Sequence, residues 1–364
     1  MWASEGHNVE IWTRRLDASH PRMESEGRAV VRRLGWTTPV ASGSARWIEK
    51  FCFALSLLAR LIRCRLEYDM VMVHQSLYPA LITTFAKRVT GRPLVLRNAS
   101  TGTTSDFLAW GRSTEAVLGA LRSAADALVV TNREGLREAL ARGFEARKVH
   151  RIPNGVAPGQ AESPRPLGRP TRFAYIGGLR PEKRVDLLLR SWAQAGAPGE
   201  LFLAGDGACR PALEALARDL AITPVFLGNV SEPRSLLRDT DVFVLPSDAE
   251  GMSNALLDAM ASGCACIATY VGGNVDCLGS EGDPIPQAGQ ILKGVAGWLV
   301  GCGDERGLAQ GLRSLAADRD TRQQLGKAAR ARVLADYDLK ATASAYIKLF
   351  QSLVSPKEIP SVTP

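Results

Sequence analysis

The sequence predicts an α/β protein built from two doubly wound parallel sheets, one in each half. Three observations carry this. Short β-branched runs alternate with longer helical patterns along the whole chain, and such alternation folds as parallel sheets covered on both faces. A stretch punctuated by Pro and Gly, residues 153–170, interrupts the rhythm near the middle. The length, 364 residues, also suits two domains of ordinary size.

In the first half, apolar or alternating runs predict strands at 9–12, 69–74, 93–97, 127–131 and 148–152, with helices at 45–66, 77–90, 114–124 and 132–142. After the linker, strands are expected at 173–176, 201–204, 225–227, 242–245 and 266–269, and the chain is mainly helical from about 304. The expected division is a domain over 1–152, the linker 153–170, a second domain over 171–335, a last helix over 336–354 and a frayed tail over 355–364 with three prolines. The beginning is unusual. Residues 3–7, Ala-Ser-Glu-Gly-His, read as the last turn and glycine stop of a helix, so the opening strand, glycine turn and most of the helix of a doubly wound unit are expected to be missing. A start placed too late is the preferred explanation.

Hydrophobic residues are 46%, charged residues 23% and aromatics 6%, which excludes disordered, collagen-like and disulfide-rich classes. The seven cysteines (52, 64, 209, 264, 266, 277, 302) are odd in number and form no C-x-x-C pair. They are expected to be mostly buried thiols in a reducing compartment. No apolar run is long enough to span a bilayer and the first residues lack the character of a secretory signal, so a cytoplasmic location is expected, with peripheral attachment at the inner membrane face left open.

Charge is divided unevenly. Residues 1–164 hold 23 Lys+Arg against 15 Asp+Glu, whereas residues 165–364 hold 22 of each. A one-sided basic field implies an anionic partner, whether nucleic acid, anionic lipid or a charged glycan, unless it is only a solvated surface. The segment 46–65, apolar with basic borders, either docks on an anionic leaflet or is a core helix whose arginines reach to water.

Candidate chemistry gathers in the second half. Its early strands end in glycine, at Gly177-Gly178, Gly205-Asp206-Gly207 and Gly228, and ligands of open α/β sheets bind outside the carboxyl ends of the strands. The strongest constellation runs from Leu245 to Gly263. A buried strand leads through a turn carrying Glu250 into a helix whose free N–H groups are expected near Gly251, Met252, Ser253 and Asn254, an anion site. Asp258 is expected about two turns in, roughly 12 Å along the helix. Helix capping by Ser253 or Asn254 with both acids exposed is the alternative. Upstream, Arg180, Lys183 and Arg184 put three cations in one turn, suited to charge developing on a diphosphate. Asn229, in the loop after Gly228, is a candidate for base contacts. His74 ends a strand and is either structural or in contact with acceptor or donor. Asp239-Thr240-Asp241 imitates a metal motif, but its placement at a helix end and strand start argues against a metal role, and the four histidines lack ligand spacing.

These residues also carry a resemblance. Tyr175 to Lys183, Gly205-Asp206-Gly207, Leu227-Gly228, Asp241 to Ser247, Glu250 to Asn254 and Gly272-Gly273 look like the retaining glycosyltransferases of family four, with weaker echoes at Tyr68 to His74 and Ile152 to Val156. The resemblance implies a GT-B architecture, with two Rossmann-like domains facing a cleft and a last helix crossing back. It implies retaining, metal-independent hexosyl transfer from a nucleotide sugar to a glycan or lipid-linked acceptor in bacterial surface polysaccharide or lipopolysaccharide synthesis, without nucleic acid. Glu250 would hold donor-sugar hydroxyls, Asp258 the ribose and Lys183 the diphosphate. No cofactor is expected. Three residues or elements depart from the pattern: Asp258 stands for the usual Glu, Gly178 for an Arg that Arg180 replaces, and the opening unit is absent. A silent binding or scaffold protein and a sugar-nucleotide epimerase of the same fold are the alternatives.

Overall fold

A computed structural model describes residues 2–15, 19–35, 45–75, 78–102, 105–108, 114–158 and 168–354. The expected tail, 355–364, and the middle of the expected linker lie outside the described residues.

The first domain contains β1 (Glu10–Arg14), β2 (Met23–Glu26), β3 (Ala29–Leu34), α1 (Ala45–Arg63), β4 (Val71–His74), α2 (Tyr78–Thr90), β5 (Leu94–Arg97), α3 (Thr114–Ala124), β6 (Ala127–Val130), α4 (Arg133–Ala141) and β7 (Val149–Arg151). Its described strands form two sheets, not the single sheet expected. One is parallel, in the order β4-β5-β6-β7; the other has the order β1-β3-β2, and no described strand joins them. β1 lies parallel to β3, while β2 and β3 form an antiparallel hairpin. Sequence patterning missed this hairpin because Met23–Glu26 is exposed at every position and has no alternation to read. By contrast, β6 is buried at all four residues, as a central parallel strand must be. Trp2 lies in a single 3-10 turn, Trp2–Glu5, and packs edge-on against Tyr346 and Phe350.

The second domain contains β8 (Arg172–Ile176), α5 (Val185–Gln194), β9 (Glu200–Ala204), α6 (Arg210–Asp219), β10 (Val225–Gly228), α7 (Pro233–Arg238), β11 (Val242–Leu245), α8 (Asn254–Ala261), β12 (Ala265–Thr269), α9 (Gly272–Leu278), β13 (Ile291–Lys293), β14 (Trp298–Val300), α10 (Glu305–Ala317), α11 (Arg319–Asp336) and α12 (Leu339–Leu353). The sheet order is β10-β9-β8-β11-β12-β14-β13, parallel except for the short β13–β14 hairpin at one edge, which sequence patterning also missed. The order reverses between β8 and β11, so the turns after these two strands open a crevice.

α12 leaves the second domain. Tyr346 and Leu349 join Val95, Ala127, Val129 and Ile152 in one apolar cluster on the first domain's sheet. The chain after β7 is pinned to the start of this helix, since Val156 N–H donates to Tyr337 O at 2.9 Å and Leu339 N–H to Val156 O at 3.1 Å. A buried carboxylate adds a second tie. Asp276 of α9 accepts from the Arg133 backbone N–H at 2.9 Å, Arg133 Nε at 2.7 Å and Arg151 Nη1 at 3.5 Å. Four of the cysteines are buried, as expected, and Cys302 is exposed.

Removing one partner of a buried ion pair leaves the other charge desolvated. Asp276→Ala should therefore destabilise the protein by about 3 kcal/mol, read as a lowered urea midpoint. Arg151→Ala, which removes the longest of the three contacts, should have the smaller effect.

Candidate active site

The crevice between β8 and β11 is closed by a charge pair. Lys183 lies in a single 3-10 turn after β8, Pro181–Lys183, and its Nζ donates to Glu250 Oε1 at 2.7 Å. Ser247 Oγ donates to the same oxygen at 2.7 Å, and Thr269 Oγ1 at the end of β12 fixes the turn by donating to Ser247 O at 2.5 Å. Glu250 is only 7% exposed. Among the described residues both donors reach Oε1 and none reaches Oε2, so one oxygen of a buried carboxylate keeps its acceptor capacity. Beneath the pair, Tyr175 donates from its hydroxyl to Gly178 O at 3.0 Å. Burial first, and the Glu250 charge second, push its phenol well above the ordinary tyrosine range, which keeps that donor protonated.

The three cations of the turn diverge. Lys183 meets Glu250, Arg184 bridges Asp186 and Asp248 at 3.2 and 3.1 Å, and Arg180, exposed, pairs with Glu182 at 3.0 Å. Gly177 and Gly178 sit beside the second glycine turn. A Cβ on Gly205, whose φ is +132°, would stand 1.9 Å from Gly177 O, so a side chain there would separate the two turns. Asp206 is exposed and turned back on its own loop, accepting from Gly207 N–H at 2.7 Å. Asn229 follows Gly228 at the exposed rim.

The helix after Glu250 begins later than the sequence suggested. α8 starts at Asn254, and Ser253 is its cap, with Oγ accepting from Leu256 N–H at 3.2 Å. Gly251 to Ser253 are therefore non-helical, and Asp258 lies one turn into the helix, not two. The first domain imposes this. A Cβ on Gly251 would stand 1.7 Å from Ala99 O, Thr101 Oγ1 donates to Glu250 O at 2.9 Å, and the Asn132 amide donates to Gly251 O. Asp258 shares a face of α8 with Asn254 and is paired with Arg234 at 3.0 Å.

His74 comes into this network from the other side. Arg97 Nη1 lies 3.4 Å from His74 Nδ1 and its Nη2 donates to Asn154 Oδ1 at 2.5 Å. Asn154 Nδ2 in turn donates to Met252 O at 3.1 Å and to Asn254 Oδ1 at 2.8 Å. Desolvation first, and the Arg97 cation second, hold the His74 pKa below its ordinary value. Arg97, Thr101 and Asn132 were missed by sequence reading, because single polar residues at strand ends carry no spacing signal; Asn154 had one, the Ile152 to Val156 run. Asp241 is held by Arg169 at 2.8 Å and by the Arg172 N–H at 2.8 Å, and Asp239 ends α7. Asp241 is thus engaged through its carboxylate, whereas Asp239 is exposed.

The chain is similar to known proteins in sequence and in fold. Residues 1–155 match the family model described as glycosyl transferase 4-like domain, and residues 170–318 match glycosyl transferases group 1. The N-acetyl-alpha-D-glucosaminyl L-malate synthase of Bacillus anthracis is 29% identical over 184 residues, 50% of this chain and 45% of that protein. The lipopolysaccharide core biosynthesis glycosyltransferase LpsE of Rhizobium meliloti is 31% identical over 163 residues, 44% of each chain. The match thus spans less than half the length of these relatives. Among solved structures, the Anabaena protein HepE in complex with UDP aligns with a TM-score of 0.73 over 95% of this chain and 100% of its own, at 16% identity, a likeness of fold. One family model matches on each side of the linker, and with the two-domain fold they support a GT-B glycosyltransferase of the 4-like superfamily.

Proposed function

We propose that the chain moves a sugar from a nucleotide-sugar donor to a glycan or lipid-linked acceptor, retaining the anomeric configuration and using no metal ion. The observation that carries this is the buried Glu250, with one oxygen held by Lys183 and Ser247 and the other unengaged. In this reading Glu250 Oε2 accepts from hydroxyls of the donor sugar. Lys183 and the backbone from Gly251 to Asn254 meet the diphosphate, lined by Gly177, Gly178 and Gly205. Asp258 takes the ribose and Asn229 the base side, while Asp206 lies at the rim and Arg180 contributes if it leaves Glu182.

Cleavage of the bond between the anomeric carbon and the diphosphate oxygen leaves negative charge on that oxygen, and fixed cationic and N–H groups stabilise it where it develops. The same oxygen accepts the proton of an acceptor hydroxyl arriving on that face. The new bond forms where the old one broke, so configuration is retained without a carboxylate nucleophile. A neutral His74, favoured by its lowered pKa, would face Arg97 with its Nδ1 lone pair and present Nε2–H on the acceptor side. The similarity to LpsE and to UDP-bound HepE supports a nucleotide-sugar donor and a hexosyl transfer in surface polysaccharide or lipopolysaccharide synthesis. The odd number of cysteines, with no C-x-x-C pair among them, supports a reducing compartment, the cytoplasm.

Glu250→Gln preserves shape and the Ser247 bond but removes charge. It should lower kcat/KM by on the order of 10²-fold while nucleoside diphosphate affinity stays nearly unchanged in calorimetry; equal losses would contradict the assignment to the sugar. Lys183→Ala should reduce thermal stabilisation by the diphosphate far more than that by the nucleoside, and matching reductions would point to a folding defect. Transfer should persist in EDTA. Loss that manganese restores would overturn the metal-free mechanism.

A further inference from the structure

α1 is apolar on two sides. Phe53, Leu57 and Leu61 are buried in one cluster with Ala86 of α2. Ile48, Phe51 and Leu55, spaced by three and four residues and so on one stripe, are 60%, 63% and 52% exposed. α2 runs beside the second half of α1 in the same direction, since Phe53, midway along α1, meets Tyr78 at the start of α2 edge-on at 6.0 Å, and Arg92 Nε, past the end of α2, donates to Arg65 O, past the end of α1, at 2.9 Å. It exposes Phe85 and Val89, and Leu66 just past α1 is exposed as well.

Cations accompany this apolar surface. Residues 45–66 contain Arg46, Lys50, Arg60, Arg63 and Arg65 against a single acid, Glu49. Arg63, Arg65 and Arg88 are exposed, whereas Arg60 is turned inward over the Trp12 ring. Among the described residues no helix is long and apolar enough to cross a membrane. A 19-residue helix with an outward apolar stripe and neighbouring cations has the character of one that lies in the interface of an anionic bilayer. A second copy of this chain would bring the same surplus of positive charge to the contact and be repelled, whereas an anionic surface suits both the stripe and the charge.

We propose that the outer face of α1 docks the first domain on an anionic lipid bilayer, with Ile48, Phe51 and Leu55 entering the headgroup boundary and Arg63, Arg65 and Arg88 meeting the lipid phosphates. The inference rests on this surface alone and stands apart from the transferase reading.

The test is cosedimentation with phosphatidylglycerol-containing vesicles and with pure phosphatidylcholine vesicles. The full chain should bind the former and not the latter, and added salt should weaken binding, because exposed charges are screened within about 8 Å at physiological ionic strength. Phe51→Glu with Leu55→Glu should weaken binding at least about tenfold, and Arg63→Glu with Arg65→Glu about thirtyfold or more. The substituted residues are exposed, so circular dichroism melting should match the parent; Phe51→Ser with Leu55→Ser serves if the acidic pair does not fold. Absence of binding to either vesicle, equal binding to both, or binding unaltered by the apolar substitutions would overturn the proposal. So would light scattering that finds a dimer which those substitutions dissolve, because the stripe would then belong to a second copy.

Discussion

The site depends on one buried ion pair, Lys183 with Glu250. An unpaired charge at this depth costs several kcal/mol, so the 3-10 turn after β8 and the turn after β11 must be held where these two groups meet. They can meet because β8 and β11 are neighbours in the sheet although β9 and β10 intervene in sequence. The reversal of strand order therefore creates the crevice, and the pair fixes its width. Ser247 and Thr269 extend the constraint to the end of β12, leaving one carboxylate oxygen as the acceptor on which the proposed chemistry turns.

The second constraint is backbone proximity between the domains. The loop carrying Glu250 is pressed against Ala99, Thr101 and Asn132, and Gly251 is the residue that permits it. This contact has a local consequence, because residues held against a neighbouring backbone cannot also enter a helix, and α8 starts at Asn254. Asp276 and α12 hold the same two domains together away from the cleft, so the position of His74 relative to the Glu250 loop is maintained from two sides through Arg97 and Asn154.

The outer surface follows a different logic. The second half balances its charges, whereas the first half carries the entire basic surplus. That surplus is adjacent to a helix with one apolar face packed and another exposed. Core formation explains the first face only, and none of the candidate site residues lies on α1.

The sequence by itself determined the two α/β domains, the strands of the first parallel sheet, five of the six parallel strands of the second and the glycine-ended turns of the second half. These are locally encoded: a strand buried on both faces, such as Ala127–Val130 or Val242–Leu245, must be apolar at every position. Tertiary structure alone decided the rest. Met23–Glu26 is a strand because β3 pairs with it, a fact absent from four exposed residues. Asp258 and Asp241 are engaged by Arg234 and Arg169, and Asp276 binds Arg133 although 143 residues separate them. Charge pairing over such distances leaves no periodicity in a sequence, because its partner is chosen by the folded surface and not by spacing along the chain.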